Sequence, residues 1–296
     1  MSGGAMTAAD SLTALRALQN PDGGFASVVE SGRGRDTDFN GFVTAIVLRM
    51  LRHLPDMGDW ITMRDRALDW LWSCRSSRVP GAFTFWPDKA RPRWASTVPP
   101  DVDDTAIMLT ELLRHGRLNP AAALRSVCRA IVPCRVRSGE IGTLPPWIVP
   151  ECFVTWIADA TDPAARKPVV NVVDCCVNVN VIALMSQLNA RHLPGYDAGL
   201  RTVVNGLQWA GDDEKRLASL TPFYPSAQNM ADAMEHAVYC GVEALRDPLR
   251  RLIDLSPNVL RAQGGVCRSA YGGTIWYASA IELARSVAAQ SSPYRP

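Results

Sequence analysis

The sequence predicts an all-α fold, a single α/α toroid of helical hairpins, on three observations. Apolar residues recur at helical spacing through most of the chain. Alternating strand patterns are scarce. Glycine-bearing turns follow the helical stretches about 60 residues apart or at twice that distance, as a repeated supersecondary unit would place them.

Taken in order, residues 15–19 precede Gly23-Gly24-Phe25, and the next stripe is Phe39, Phe42, Val43, Ile46, Val47, Met50 and Leu51. Stripes follow at 67–74, 107–113, 121–132, 177–188, 231–245 and 275–287. Gly81-Ala82-Phe83 follows the first of these, Gly142 and Trp147 follow the third, and Gly264-Gly265-Val266 follows residues 260–263. Glycine is also the commonest C-terminal helix cap, so one such turn means nothing, whereas four at regular spacing favour a repeat. Val169-Val170-Asn171-Val172-Val173 is the best strand candidate, and it leads straight into a helical stretch. Five or six hairpins of this length close naturally into a double ring whose inner helices line a central cavity. No composition break divides the chain, so residues 1–296 are expected to form one domain with short disordered ends.

Composition narrows the function classes. Hydrophobic residues make up 47% and charged residues 20%, ordinary values for a soluble globular protein. A net charge of +2, with no basic run or stripe, gives no electrostatic case for nucleic acid. The eight cysteines are scattered apart from Cys175-Cys176, and Cys128, Cys134 and Cys240 lie in helical patterns. Reduced, buried cysteines in a cytoplasmic protein are expected. The first ten residues do not read as a signal peptide, and no run of about 18 apolar residues is present to cross a membrane. A peripheral membrane contact stays open.

The chemistry is concentrated in Pro99-Pro100-Asp101-Val102-Asp103-Asp104-Thr105-Ala106. Two prolines forbid helix before Asp101, and apolar periodicity begins directly after the acids. The three carboxylates therefore crowd a helix's first turn, where free amides and the helix dipole stabilise negative charge. Capping accounts for Asp101 and for Asp104 in the third helical position, but not for a third acid beside them. Carboxylates this close cannot all ionise, so one can keep its proton at neutral pH. An acid with a stabilised conjugate base, facing a dry aromatic cavity, is what protonation of a carbon–carbon double bond requires.

Asp101-Val102-Asp103-Asp104-Thr105-Ala106 resembles the Asp-x-Asp-Asp-Thr-Ala motif of squalene–hopene cyclases and class II diterpene cyclases. Leu18-Gln19-Asn20-Pro21-Asp22-Gly23-Gly24-Phe25 resembles that family's Gln-x-x-x-Gly-x-Trp repeat, with Phe25 in the tryptophan's place. The resemblance implies a protonation-initiated terpene cyclase, an isomerase of isoprenoid biosynthesis. Asp103 would be the general acid, tuned by Asp101 and Asp104. It implies an isoprenoid substrate and no required cofactor, with Mg²⁺ only as a bridge to a diphosphate where the substrate carries one. The family builds its site between two toroid-like domains, and this chain has length for one. A homo-oligomer or a partner subunit completing the pocket therefore stays open.

Trp86, Trp94, Trp147, Phe153, Trp156 and Tyr224 lie near predicted helix ends or turns and are the candidate cavity aromatics. For any single one, ordinary core packing is the competing account. The loop Asp88-Lys89-Ala90-Arg91-Pro92-Arg93 is basic enough to hold a diphosphate, although solvated loop charge explains it as well. Asp174 and Asn178 share a helix face at i, i+4, and Asn178-Val179-Asn180 resembles Asn-x-Asn helices of bacterial cyclase-like proteins. Asn178 is a further candidate for the pocket, with a polar helix cap as the equal alternative.

Two other readings compete. Protein prenyltransferase β subunits resemble the chain in architecture and bind zinc through an Asp-x-Cys pair and a distant histidine, types offered here by Asp174, Cys176 and His236. A non-catalytic helical scaffold is the third, since fold alone does not confer function.

Overall fold

In the computed structural model, which describes residues 7–56, 58–96, 98–137, 144–157, 172–255, 265–269 and 273–291, helices are joined by a four-stranded antiparallel sheet. The expectation of an all-α chain, and with it the single α/α toroid, is corrected by that sheet: the fold is mixed.

Strands β1 (Ala26–Ser31) and β2 (Gly34–Phe39) form a hairpin around Gly32-Arg33. Strands β3 (Cys267–Arg268) and β4 (Thr274–Tyr277) add to it from the far end of the chain, giving the order β2-β1-β4-β3. Two features hid the sheet from pattern reading. β2 reads Gly-Arg-Asp-Thr-Asp-Phe, and its one fully buried residue, Asp38, is polar, so the inward face carries no hydrophobic signal. Ile275, assigned to a helical stripe, lies instead in β4, which runs directly into a helix and blurs the change of period.

The helices in chain order are α1 (Ala8–Ala17), α2 (Gly41–Met50), α3 (Gly58–Ser73), α4 (Val102–Arg114), α5 (Pro120–Ser126) and α6 (Cys175–Gln187). They continue with α7 (Tyr196–Ala210), α8 (Glu214–Ser219), α9 (Ala227–Tyr239), α10 (Arg246–Leu255) and α11 (Ser279–Ser291). The 121–132 stripe is split: α5 gives way at Val127 to a wider π turn reaching Ile131. The 231–245 stripe also breaks, since α9 stops at Tyr239 and Gly241, at φ 91, turns the chain away. The strand candidate at 169–171 and the expected turns at Gly142 and Gly264 fall outside the described residues, as does the 260–263 stretch. Val172 and Val173 carry no strand.

Packing runs α11–α2–α4–α6–α9, with α1, α3, α5, α7 and α10 laid against its outer side. The middle helices are enclosed by neighbours all round. Every residue of α4 from Val102 to Leu112 is buried, as is every residue of α6 from Cys175 to Ser186. A helix so enclosed must be apolar on every face, and a polar side chain inside one needs a partner. Gly41 shows how tightly the row is packed: a Cβ there would lie 2.3 Å from the Met108 methyl carbon of α4. α1 packs on α11, and β1 pairs with β4, so both ends of the described chain meet beside the row.

None of the eight cysteines forms a disulfide, but Cys128 is exposed and Cys134 and Cys240 are half-buried. Among the described residues no helix is long and apolar enough to cross a membrane.

Candidate active site

Helices α2, α4 and α6 begin in the same way. The capping side chains Asn40, Asp101 and Asp174 accept from the amides of Val43 (2.8 Å), Asp104 (2.6 Å) and Cys176 (2.7 Å). Four residues after each cap, a polar side chain donates back to the cap's carbonyl: Thr44 at 2.8 Å, Thr105 at 2.6 Å and Asn178 at 3.0 Å. The same three side chains accept from the main-chain N–H of a loop phenylalanine: Phe25 at 3.1 Å, Phe83 at 2.9 Å and Phe153 at 2.9 Å. A repeated device thus pins each loop to the helix start beside it.

This device sorts the acids. Asp101 is the capping member of its repeat, equivalent to Asn40 and Asp174. Asp103 and Asp104 occupy positions where the other repeats carry Phe42-Val43 and Cys176-Val177. A cap is worth about 1 kcal/mol, whereas a buried, unpaired carboxylate costs several. Helix-end stability therefore explains Asp101 and leaves Asp103 and Asp104 as an unexplained expense.

All three acids face a cavity of about 260 Å³ whose wall is rich in aromatic rings. Of the candidate aromatics, Trp86, Trp94, Trp156 and Tyr224 stand on that wall. Trp147, Phe153 and Asn178 do not: Trp147 packs against Trp209, with ring centroids 6.4 Å apart, and the Asn178 amide is consumed by the Phe153 main chain, with bonds of 2.9 and 3.0 Å. Asn178 is thus a latch, and its i, i+4 relation to Asp174 is a helix-start bond. Phe42, Phe85, Phe223 and Trp276 complete the aromatic wall, and Arg268 supplies a cation to it. Phe42 comes from the apolar stripe of α2 and Phe85 adjoins Trp86 in the loop before the motif, while Phe223, Trp276 and Arg268 arrive from segments far along the chain with nothing nearby to mark them.

Asp103 is the best-supported acid of the three. Its Oδ1 accepts from Asn180 Nδ2 at 2.7 Å, and its Oδ2 accepts from the Tyr224 hydroxyl. Behind Asn180, the buried Arg49 donates to Asn180 Oδ1 at 2.9 Å. Burial raises the Asp103 pKa, against the pull of Tyr224, Asn180 and the Arg49 charge. Burial also pushes Asp101 up to about 7, with the Asp103 charge adding to it. Burial and the Asp101 charge hold Asp104 well above the ordinary carboxylate range, and its Oδ2 has no hydrogen-bond partner. The cluster therefore favours retained protons, and its middle member has a conjugate base held by a side-chain donor on each oxygen, both brought from elsewhere in the fold.

The candidate zinc ligands are not brought together. Asp174 is spent on the amides of Cys176 (2.7 Å) and Phe223 (3.0 Å), and His236 lies 3.5 Å from Cys240 Sγ within its own helix. Among the described residues no three His, Cys, Asp or Glu side chains form a group fit for a metal ion. The basic loop turns on itself: Arg91 donates to the Val98 carbonyl at 2.7 Å and lies 3.5 Å from Asp88.

No family model matches the chain, and no curated protein matches it in sequence. Solved structures do resemble it in fold. A protein from Actinoplanes is 18% identical with a TM-score of 0.51, over 96% of this chain and 76% of that one. An apo variant of the type II terpene cyclase MstE from Scytonema is 15% identical with a TM-score of 0.51, over 95% and 76%.

Proposed function

We propose that the chain is a protonation-initiated terpene cyclase acting on an isoprenoid chain, with Asp103 as the general acid. One observation carries the reading: a buried carboxyl with a donor on each oxygen faces an aromatic cavity. That arrangement answers both demands of alkene protonation. Asn180 and Tyr224 stabilise the carboxylate left behind, and the ring faces attract the carbocation formed, each worth about 0.5–2 kcal/mol.

The step balances simply. The Asp103 O–H bond breaks, its proton forms a C–H bond at one alkene carbon, and the π electrons of that bond supply the pair. The tertiary cation is attacked by the next double bond, which closes a ring. Loss of a proton or capture of water ends the sequence. Asp101 and Asp104, holding protons nearby, supply the means to recharge Asp103. The aromatic wall excludes water, which would otherwise quench the cation early. A scaffold has no use for Asp103 and Asp104 buried side by side, and the fold likeness to a type II terpene cyclase points the same way.

The test is incubation with farnesyl and geranylgeranyl diphosphates and with squalene, with and without Mg²⁺ and EDTA, and product analysis after dephosphorylation. A cyclised product that retains its diphosphate, or cyclised squalene, is the expected result. Release of diphosphate as the first event would overturn it.

A further inference from the structure

Asp38 belongs to neither the acid motif nor the cavity wall, yet it grips two of the wall's tryptophans. In the sheet, Ser27 of β1 pairs with Asp38 of β2, and Val29 of β1 pairs with Trp276 of β4. Residues two apart on β1 share a face, so Asp38 and Trp276 meet on the sheet's inner side. Asp38 Oδ1 accepts from Trp86 Nε1 at 2.7 Å, and Oδ2 accepts from Trp276 Nε1 at 2.9 Å and Asn40 Nδ2 at 2.8 Å. An indole N–H can only donate, so these surroundings fit the charged carboxylate. Burial pushes its pKa up and these hydrogen bonds pull it back.

What is missing is a counter-charge. Asp38 is 5% exposed, and among the described residues no arginine, lysine or histidine forms an ion pair with it. A neutral acceptor would satisfy two indole N–H groups without the desolvation penalty of a buried anion. The charge itself therefore asks for a purpose. It sits at the N–H edges of Trp86 and Trp276, whose rings lie 6.2 Å apart and line the cavity. Phe85, 5.2 Å from Trp276, and Trp94, 5.7 Å from Trp86, continue the same wall.

We infer that Asp38 is a positioning residue that fixes the Trp86 and Trp276 rings and, as a buried anion behind them, strengthens their attraction for positive charge in the cavity. A hydrogen bond to a carboxylate shifts electron density into the indole, and the negative face of the ring deepens. The purpose rests on the cyclase reading, in which the cavity's transient content is a carbocation. The property itself, preference for a cation over a neutral body of the same shape, does not depend on turnover.

The test compares hexyltrimethylammonium with its neutral tert-butyl analogue, each titrated by tryptophan fluorescence. Wild type, Asp38→Asn and Trp276→Phe are measured side by side. The wild type is expected to prefer the ammonium by about tenfold or more. Asp38→Asn is expected to lose most of that preference while binding the neutral analogue within about twofold of wild type. Its indole N–H bands in ultraviolet resonance Raman are expected to shift toward weaker hydrogen bonding. Trp276→Phe, which keeps a ring but drops one N–H, is expected to fall between, and covers the case in which Asp38→Asn does not fold. No ammonium preference in the wild type, or an unchanged preference in whichever variants fold, overturns the inference. If the preference follows Asp38 and no substrate is cyclised, the cyclase reading falls and this one stands. If cyclisation is found and the preference ignores Asp38, the reverse holds.

Discussion

Asn180 of α6 donates to Asp103 of α4 at 2.7 Å and receives a 2.9 Å hydrogen bond from Arg49 of α2, so one amide joins three neighbouring helices to the acid. The relay matters because it presents Asp103 with a polarised donor while holding the guanidinium one residue back. A direct Arg49–Asp103 ion pair would drive the acid to its ionised form, which cannot give a proton. Through Asn180 the conjugate base is supported and the acid remains available.

Asp103→Asn is the first expected consequence. Cyclisation should fall by about a thousandfold or more, since Asp103 is the acid that Asn180 and Tyr224 hold against the cavity. The melting temperature should be unchanged or higher, because a carboxyl that folding makes harder to ionise weighs against stability at neutral pH. Product yield and a thermal melt check both halves. Wild-type turnover in this variant would remove Asp103 from the role.

Tyr224→Phe keeps the ring on the wall and removes one donor from Asp103. That donor lowers the Asp103 pKa, so its loss should raise it. A weaker acid that stays protonated to higher pH should lower the plateau rate by about tenfold to a hundredfold and move the alkaline limb of the pH–rate profile upward. A limb that stays in place would mean that Asp103 is not the titrating group.

Stability should rise on mild acidification. Asp101 and Asp174 are both held at about 7 by burial, above the ordinary carboxylate value of 3.8. Each therefore binds its proton more tightly in the native state. The stability so gained is complete below the unfolded value and is lost as the pH rises through 7. Between about pH 5 and 7, each group should contribute a slope approaching 1.4 kcal/mol per pH unit. Urea midpoints across that range measure it, and Asp174→Asn should remove one group's share. A midpoint that falls steadily on acidification would contradict the assignment.

Asn178→Ala separates latch from pocket. The substitution strips two main-chain groups of Phe153 and one of Asp174 of their partner, and should cost about 2–4 kcal/mol in chemical denaturation. The protein that remains folded should keep its specific activity, because Asn178 is not on the cavity wall. A large loss of turnover at unchanged stability would put Asn178 back among the candidates for contact with substrate.

Much of the site could be read before any fold was known. The cap role of Asp101, the crowding of Asp103 and Asp104, and a helix start directly after Pro100 all follow from local rules acting over a few residues. Trp86 and Trp94 were reachable because they precede the motif in the same loop. Asp38, Trp276 and Arg268 were not, since nothing near them in the chain marks them.

What the sequence by itself determined was the helical periodicity and the acid-rich helix start, both governed by contacts within a turn or two of the chain. Only the tertiary structure decided the sheet, the partners of Asp103 and the two-tryptophan grip of Asp38. Strand pairing between Val29 and Trp276, or a hydroxyl reaching from Tyr224 to Asp103, joins residues separated by hundreds of positions or by more than a hundred. Such contacts are selected by the packing of the whole chain, and leave no periodic trace in any one segment.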